Sequence, residues 1–428
     1  MLTAKDFQIP SLGEAKIASP LTEAAFIGDN DRVIYRTDVA ELLREVQHPE
    51  ELLSFEKAGA RRRIFHDPAR SRAAILTAGG LCPGLNEVIK SLTITLLNRY
   101  GVSGVYGIPY GYRGLNPANG LLPYTLTAES VDSIHESGGT ILGSSRGREE
   151  TPVLVNSLVG LGVNMLFCIG GDGTARGAHD IAQEIARRHL PISVIAIPKT
   201  VDNDISFIDQ SFGFSTAVRT AGGFISGAHN EAKGAYNGVA LIKVMGRDSG
   251  FIAAFSSLAN PYVNYCLIPE EKFTLREGPH ALLPHLEQRL AKKHHAVIMV
   301  AEGAGQEFFA DAPERRDASG NKLHNDIGTF LKGEIVAYFK ERGIEINLKY
   351  FDLGYTIRSV QAEGEDSVFC SLLAQSAAHA AMAGRTDMMV GHWAGEFTHV
   401  PIPLTTSSRK KVDLEGPLWN GVKTLLCF

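Results

Sequence analysis

Long apolar runs are missing from this sequence, and their absence excludes one class of protein. No segment approaches the roughly 20 consecutive apolar residues that a membrane-spanning helix needs. The first six residues, Met1 to Asp6, contain no apolar stretch typical of a secretion signal. Basic blocks are also missing and the formal net charge is −5, so a nucleic-acid partner is not expected. We therefore expect a cytoplasmic protein with no membrane partner.

Cysteine is scarce, and its spacing excludes the common zinc motifs. The chain has five cysteines, Cys82, Cys168, Cys266, Cys370 and Cys427, with no CxxC pair or other metal-binding spacing. The number is odd, and Cys168 and Cys266 lie in apolar strand patterns. We predict reduced and mostly buried thiols rather than a disulfide framework.

Glycine, in contrast, is abundant. The 44 glycines among 428 residues are about one in ten, against a usual share of roughly 7%. Glycine-rich turns at strand ends would account for this excess. The length is more than one hydrophobic core usually serves, so we expect two domains with extensions.

The run Gly170-Gly171-Asp172-Gly173-Thr174 is typical of a phosphate-binding turn. It follows the apolar segment Met165–Ile169 and precedes a helical pattern. A strand, a glycine turn and a helix start together can hold a phosphate. Asp172 is then placed to bind Mg²⁺ directly or through water, and Thr174 to cap the helix or donate to a phosphate oxygen. The alternative is a plain glycine turn; the motif alone also occurs in NAD kinases and in lipid kinases of the diacylglycerol type.

A second polar segment, Pro198 to Asp204, follows the apolar run Val194–Ile197. Asp202 and Asp204 are two residues apart, so on an extended segment their side chains point to the same side. One could abstract a proton from an attacking hydroxyl while the other orients it or assists the metal. The alternative is a solvated acidic turn. With the glycine turn, this segment indicates phosphoryl transfer.

The second half of the chain repeats the pattern of a strand followed by a polar turn. Apolar runs at 239–244, 265–268 and 296–300 each end in such a turn. Arg247 follows the first of them, where a permanent charge is costly unless it meets an anion. That anion could be a transferring phosphoryl group or a carboxylate in a structural salt bridge. Strands alternating with helices predict parallel sheets covered on both faces, with ligands at the carboxyl ends of the strands.

Taken together, these motifs resemble the phosphofructokinase family, in the right order, from about residue 72 to about residue 395. The motifs are Ala78-Gly79-Gly80, Leu142-Gly143-Ser144-Ser145-Arg146, Gly170 to Thr174, Pro198 to Asp204, Met245-Gly246-Arg247, Pro269-Glu270 and Tyr355-Thr356-Ile357-Arg358. The chain is most similar to the plant and kinetoplastid ATP-dependent type, from the branch that mixes ATP and pyrophosphate users. The resemblance implies Mg²⁺-dependent transfer of the ATP γ-phosphate to the 1-hydroxyl of fructose 6-phosphate, and a homo-oligomer, either dimer or tetramer.

The fold implied is α/β: two facing Rossmann-like three-layer domains with parallel-rich sheets, plus N- and C-terminal extensions. We predict residues 1–71 as the N-terminal extension, 72–213 with about 357–395 as the donor-binding domain, 214–356 as the sugar-phosphate domain and 396–428 as the C-terminal extension. The last thirty residues, with the basic run Arg409-Lys410-Lys411, are expected to form a surface tail or a partner contact.

The resemblance also implies site residues. The donor site would be lined by Gly80, Tyr112, Arg146, Gly147, Gly171, Asp172, Gly173, Thr174 and Gly177, with Asp172 binding Mg²⁺. Asp202 would be the base, with Lys199, Thr200, Asp204 and Arg247 as further catalytic residues. The sugar phosphate would contact Thr200, Val201, Asp202, Met245, Gly246, Arg247, Glu270, Lys349, Tyr355, Thr356, Ile357 and Arg358.

Three positions of the predicted sugar-phosphate site depart from the bacterial ATP-dependent enzymes of this family. Those enzymes have histidine where this chain has Tyr355 and arginine where it has Lys349. A further arginine, which a neighbouring subunit supplies to the 6-phosphate, corresponds here to Gly238, so that contact is absent or replaced.

Gly173 and Lys199 bear on the choice of donor. Pyrophosphate users of the family usually have an acidic residue at the position of Gly173, where a carboxylate would crowd and repel the α-phosphate of ATP. Lys199 matches the pyrophosphate users, although an ammonium suits the terminal phosphates of either donor. We therefore predict ATP as co-substrate, with pyrophosphate as the alternative. A non-catalytic regulatory subunit is a third possibility, against which the retained Asp172, Asp202, Asp204 and Arg247 argue.

Overall fold

The computed structural model describes residues 2–45, 52–313, 315–316 and 322–426. Within this part, the strands are β1 (Ile17–Ala18), β2 (Arg32–Ile34), β3 (Ser54–Lys57), β4 (Arg63–Ile64), β5 (Arg72–Thr77), β6 (Gly104–Ile108), β7 (Tyr124–Leu126), β8 (Met165–Gly170), β9 (Ser193–Pro198), β10 (Gly238–Val244), β11 (Tyr265–Leu267), β12 (His295–Ala301), β13 (Arg315–Arg316), β14 (Lys322–Leu323), β15 (Asn347–Asp352), β16 (Met388–Trp393) and β17 (Glu396–Pro401).

The helices alternate with these strands along most of the chain. They are α1 (Val39–Glu45), α2 (Leu85–Ile94), α3 (Tyr112–Leu115), α4 (Thr151–Gly160), α5 (Asp172–Arg187), α6 (Phe214–Gly234), α7 (Phe251–Ala259), α8 (Leu282–Lys293), α9 (Ile327–Glu341), α10 (Gly364–Met382), α11 (Ile402–Thr405) and α12 (Pro417–Leu425). A π-helical segment, Thr95–Tyr100, continues α2, and short 3₁₀ turns occur at Ala4–Phe7, Pro68–Arg70, Pro117–Asn119, Ile134–Glu136 and Gln306–Phe309.

The described residues form two compact units. The first contains the chain up to Val201, Ile205–Gly213 and Ser359–Ser408; the second contains Asp202–Asp204, Phe214–Arg358 and the chain from Arg409 onward. The chain therefore passes between the units within the segment that the sequence singled out at Pro198 to Asp204.

The first unit is built on one large mixed sheet. Within the described residues its strand order is β2-β3-β17-β16-β9-β8-β5-β6-β7. The central strands β16, β9, β8, β5 and β6 are parallel, and the outer pairs are antiparallel. Strands β8 and β9 are buried along their whole length, which explains their continuous apolar sequences, since helices cover both faces of a parallel sheet. The prediction of an α/β fold with parallel-rich sheets is confirmed.

Two segments predicted as extensions supply strands to this sheet. Strands β2 and β3 lie within residues 1–71, and β17 lies within residues 396–428. The apolar pattern did not reveal them because they carry polar residues that become buried. Glu56 of β3 accepts hydrogen bonds from the nearby Arg61 and Arg385, and its partner strand carries the buried His399. Such polar groups are tolerated inside only when they pair with one another.

The second unit contains a smaller parallel sheet, with the order β11-β12-β10-β15. Its core is formed by the apolar faces of α8 and α9 against β10 and β12, including Leu241, Leu286, Ile298 and Leu331. The C-terminal helix is also packed into this unit and does not form a surface tail. Trp419 and Val422 of α12 are buried, and α12 packs against α7.

None of the helices in the described part of the chain is long and apolar enough to cross a membrane. The four cysteines found there, Cys82, Cys168, Cys266 and Cys370, are free and buried, as predicted. Cys427 lies outside the described residues.

Candidate functional site

In the first unit, three neighbouring strands deliver the predicted donor residues to one edge of the sheet. Strands β5, β8 and β9 are adjacent and parallel. The turns that follow them begin at Ala78, Gly171 and Lys199, and the backbone amides of Ala78 and Lys199 donate to the carbonyls of Ile169 and Gly170 at 3.0 Å each. The structure thus brings together segments that are far apart in sequence, at the carboxyl edge where α/β proteins bind ligands.

The loop at 140–147 is tied to the same edge by hydrogen bonds. The Thr77 hydroxyl lies 2.6 Å from the carbonyl oxygen of Gly143, to which it donates. The Ser144 hydroxyl donates to the Gly79 carbonyl at 2.6 Å. These contacts leave Arg146 and Gly147 on the exposed part of the loop, beside the turn that contains Gly80.

Helix α5 begins at the glycine turn, with Gly171 as its N-cap residue and Asp172 in its first turn. The N-cap is therefore a glycine without a side-chain hydrogen bond, and Thr174 does not cap the helix. Thr174 is buried instead and packs beside Gly170, where a Cβ atom would lie 2.2 Å from its hydroxyl oxygen. The amides of an uncapped helix N-terminus and its positive dipole end favour an anion such as phosphate.

Two glycines of α5 differ in what surrounds them. A Cβ atom at Gly177 would lie 2.7 Å from the ring of Tyr112, so packing requires a glycine there. A Cβ atom at Gly173 would have no heavy atom within 4 Å, and this residue is exposed. Packing therefore gives no reason for glycine at position 173, and open space remains beside the helix start.

Tyr112 is buried, and its hydroxyl donates to the carbonyl oxygen of Thr174 at 2.6 Å. Burial raises its pKa well above the ordinary value, and the neighbouring Cys168 adds to that shift. Its side chain supports the glycine turn from the protein interior.

Lys199 is also buried, and a Cβ atom at Gly79 would lie 3.2 Å from its Nζ atom. The ammonium group of Lys199 is thus close to the backbone of the turn after β5.

In the second unit, most of the predicted acceptor residues follow the ends of β10, β11 and β15. Gly246 has a φ of +121°, and Gly303 after β12 approaches the preceding turn so closely that a Cβ atom there would lie 1.9 Å from the Arg247 carbonyl oxygen. This approach places Arg247 beside Glu302, which the sequence reasoning left without a role. Glu302 could have been found from sequence, because it follows a strand in the same way as Arg247 does.

Asp202 and Asp204 do not lie on an extended segment. Asn203 between them has a φ of +53°, which turns the chain and breaks the alternation of an extended strand. The two carboxylates consequently face different groups. The backbone amide of Arg247 donates to the carboxylate of Asp202. Asp204 is buried, and its Oδ2 atom lies 2.7 Å from Nη1 of Arg409.

The electrostatic surroundings of Asp202 suit a base. Burial raises the pKa of its carboxyl, and the negative charges of Asp204 and Glu302 raise it further. The Arg247 amide and the Arg409 guanidinium act in the opposite direction and are outweighed. A raised pKa makes the ionised carboxylate a stronger proton acceptor, while it lowers the fraction that is ionised at neutral pH.

The remaining predicted sugar-phosphate residues differ in exposure and in their distance from the strand ends. Arg358 lies over the ring of Tyr355, 4.7 Å from its centroid, and Tyr355 is 72% exposed. Ile357 is fully buried, so its side chain faces the core. Lys349 lies within β15, three residues before the strand ends at Asp352. Its backbone is therefore about 10 Å along the strand from the carboxyl edge of the sheet.

Glu270 has a structural task in the second unit. Its Oε1 atom accepts hydrogen bonds from the Gly250 amide at 3.0 Å and from the Val412 amide at 2.8 Å. Arg409 and Val412 were not assigned to the site from sequence, because both are more than a hundred residues from the carboxylates they contact.

Gly238, at the start of β10, could not carry a side chain, since a Cβ atom would lie 2.0 Å from the Ala232 carbonyl oxygen.

The fold is α/β, with a glycine turn before α5 in the first unit and the carboxylates of Asp202, Asp204 and Glu302 in the second. Residues 72–381 match the phosphofructokinase family. An ATP-dependent 6-phosphofructokinase of Borreliella burgdorferi is 46% identical over 433 residues, which covers 97% of this chain and 95% of that protein. One of Amycolatopsis methanolica is 44% identical over 441 residues, covering 99% and 95%. This chain belongs to the phosphofructokinase family.

Solved structures support the same fold. A pyrophosphate-dependent phosphofructokinase from Marinobacter aquaeolei superposes with a TM-score of 0.65, covering 84% of this chain and 92% of that chain. The two sequences are only 19% identical, so this likeness concerns the fold alone.

Proposed function

We propose that this protein transfers the γ-phosphate of ATP to the 1-hydroxyl of fructose 6-phosphate, giving fructose 1,6-bisphosphate in glycolysis. The observation that carries the proposal is Asp202, whose carboxylate accepts from the Arg247 amide and whose pKa is raised by burial and by Asp204. Such a group can remove the proton from a sugar hydroxyl as it attacks a phosphoryl group.

The first unit would bind the donor. The amides at the start of α5 and the turn after β5 offer hydrogen bonds to phosphate oxygens, which supports donor roles for Gly80, Gly171, Gly173 and Thr174, and the exposed loop supports them for Arg146 and Gly147. Tyr112 and Gly177 would act by shaping this turn. Lys199 would add a positive charge at the turn after β5.

Asp172 is the residue that would hold Mg²⁺. Within the described residues, no group of three or more His, Cys, Asp or Glu side chains could enclose a metal ion. This fits Mg²⁺, which keeps several waters and is usually bound by one or two carboxylates together with the substrate phosphates. When bound, the ion would neutralise phosphate charge.

The second unit would bind the sugar phosphate. Arg247 and Arg358 supply positive charge for phosphoryl groups, with Tyr355 packed against the Arg358 guanidinium. We assign the contact with sugar hydroxyls to Glu270, whose Oε1 atom accepts from two backbone amides while its buried Oε2 atom has no hydrogen-bond partner among the described residues. Thr200, Val201, Met245, Gly246, Thr356 and Ile357 would contribute mainly through their backbone, and Lys349 from a greater distance.

The choice of ATP over pyrophosphate rests on Gly173. The open space beside this residue leaves room for a nucleotide, and an aspartate there would bring a negative charge close to the phosphates. Lys199 favours the alternative, a pyrophosphate-dependent fructose-6-phosphate 1-phosphotransferase, since its ammonium would suit a compact donor of high charge.

Initial rates with fructose 6-phosphate and Mg²⁺, measured with ATP alone and with pyrophosphate alone, test the proposal. We expect activity with ATP only. Gly173→Asp should lower kcat/KM for ATP at least about 10-fold without lowering Tm, because an acidic residue suits a helix N-terminus. Gly173→Ala, which adds a methyl group without charge, is the matched control and should change the ATP rate little.

Other outcomes would contradict specific parts of the proposal. Wild-type activity with pyrophosphate alone would reverse the donor assignment. An unchanged ATP rate in Gly173→Asp would remove Gly173 from the choice of donor. Inactivity with both donors would reject the reaction itself.

A cytoplasmic location is also proposed, supported by four free and buried thiols in the described residues. A homo-oligomer is proposed as well. Large apolar side chains remain exposed on the second unit, including Phe224, Tyr236, Phe255, Leu258 and Tyr262, and monomers rarely expose many such groups together.

A further inference from the structure

The segment Arg409–Val412, here named the C-terminal strap, contacts two carboxylates of the second unit. The Arg409 guanidinium lies 2.7 Å from Oδ2 of Asp204. The Lys410 backbone amide donates to the Asp204 carbonyl oxygen at 2.8 Å. The Val412 amide donates to Oε1 of Glu270 at 2.8 Å. Asp204 is therefore fixed by the strap through both its side chain and its backbone.

Two residues of the strap, Lys410 and Val412, pack against the rest of the second unit. The Nζ atom of Lys410 lies over the ring of Phe251 at 5.5 Å from its centroid. Val412 is buried, as are Trp419 and Val422 of the helix that follows. Because α12 packs against α7, the position of the strap is set by a helix pair rather than by a loose tail.

We propose that the strap is a positioning element of the acceptor site, in which Arg409 fixes Asp204 and thereby holds the neighbouring Asp202 in place for proton abstraction. Arg409 is a positioning residue, because it acts through Asp204. The inference rests on the proposed function, in which Asp202 is the base.

Electrostatics supports this assignment. The side chain of Asp204 is only 3% exposed, while that of Arg409 is 31% exposed. A buried carboxylate without a counter-charge is costly. The charged groups that act on Asp202 are Asp204, Glu302 and the opposing Arg409, together with the Arg247 amide. Removing the Arg409 charge would strengthen the net repulsion between Asp202 and Asp204.

The experiment compares Arg409→Gln, Arg409→Lys, Asp204→Asn and the double variant Arg409→Gln with Asp204→Asn. The double variant removes both charges of the pair, so it keeps the test available if Arg409→Gln alone folds poorly. Lys411→Gln is the matched control, because it removes one positive charge from an exposed strap residue. Steady-state rates are measured with ATP and fructose 6-phosphate across pH, alongside Tm.

We expect Arg409→Gln to lower kcat about 10- to 100-fold, since small displacements of a reacting group have effects of this size. The KM for ATP should stay within about two-fold, and the acidic limb of the pH profile should move to higher pH. Arg409→Lys should recover part of the loss. The effects of Arg409→Gln and Asp204→Asn should be non-additive, as for residues that act as a pair.

The inference is overturned if Arg409→Gln behaves like Lys411→Gln. Additive effects in the double variant, or a loss explained fully by a smaller folded fraction, would also overturn it. A wild-type protein without activity would contradict the proposed function instead, so the two failures can be told apart.

Discussion

The hydroxyl of Tyr112 donates a hydrogen bond of 2.6 Å to the backbone carbonyl of Thr174, in the first turn of α5. The same ring fills the space beside Gly177, where a Cβ atom would lie 2.7 Å away. One buried side chain thus supports the glycine turn at two points. The position of the helix N-terminus, and hence of the amides that we propose bind phosphate, depends on this contact.

Tyr112→Phe should weaken donor binding more than sugar binding. The variant keeps the ring but loses the hydrogen bond, which costs about 1 kcal/mol of folding free energy. We expect the KM for ATP to rise several-fold, while the KM for fructose 6-phosphate stays the same. Steady-state kinetics with each substrate varied in turn would measure this difference.

Tyr106→Phe is the matched control, since Tyr106 lies in β6 of the same unit and is partly buried. This control should leave both KM values unchanged. Equal effects of the two substitutions on ATP binding would show that the Tyr112 hydroxyl has no special part in the donor turn.

Asp202→Asn should reduce turnover and raise stability together. Loss of the base should lower kcat by roughly 10²–10⁴. The native pKa of Asp202 is raised by burial and by Asp204, so the folded state retains a proton that the unfolded chain releases. Stability is then lost as pH rises from the ordinary aspartate range toward the raised pKa, and asparagine removes this loss. Thermal unfolding at about pH 5 and about pH 8 should show the gain in Tm growing with pH.

Asp204→Asn provides the contrast for that experiment. Its carboxylate is paired with Arg409 at 2.7 Å, so this substitution should lower Tm. A Tm gain for Asp202→Asn that does not depend on pH would contradict the raised pKa, and near wild-type turnover would remove Asp202 from the role of base.

Glu56→Gln should destabilise the first unit. Glu56 lies 2.8 Å from Arg385 and 3.1 Å from Arg61. Burial opposes its charge, but His399 and Arg385 outweigh burial and lower its pKa to about 2. Burial also lowers the pKa of His399, so the arginines supply the positive charge at neutral pH. Removing the carboxylate should cost about 3 kcal/mol, as measured by denaturant unfolding at pH 7.

The pH dependence of that loss has a definite sign. A lowered folded-state pKa stabilises the protein above the unfolded-state pKa, and this contribution disappears as pH falls toward the folded-state value. The difference from wild type should therefore shrink below about pH 4. Glu396→Gln, which removes an exposed partner of Lys57, should cost no more than about 1 kcal/mol at any pH. A pH-independent loss for Glu56→Gln would rule out the charge as its cause.

Much of the fold could be predicted because buried parallel strands have a strong local pattern. The apolar runs at β5, β8, β9, β10 and β12 are continuous, and each is followed by glycine or polar residues. That pattern places the turns at the carboxyl edge of a sheet, whatever the details of packing. The strand and turn positions of the candidate site are therefore determined by the sequence itself.

The surroundings of each side chain required the tertiary structure. The left-handed conformation of Asn203 separates Asp202 from Asp204, whereas their spacing alone predicted a shared face. Strands β2, β3 and β17 join the large sheet through buried polar pairs such as Glu56 and Arg385, which an apolar pattern does not reveal.

The sequence by itself determined the α/β class, the order of the strand-end motifs and the family, because these depend on local periodicity and residue type. Only the tertiary structure decided that Arg409 pairs with Asp204, that the Val412 amide donates to one oxygen of Glu270 and that Gly173 borders open space. Those contacts join residues that are distant in the chain, and their energies depend on burial and charge in three dimensions, which local patterns do not encode.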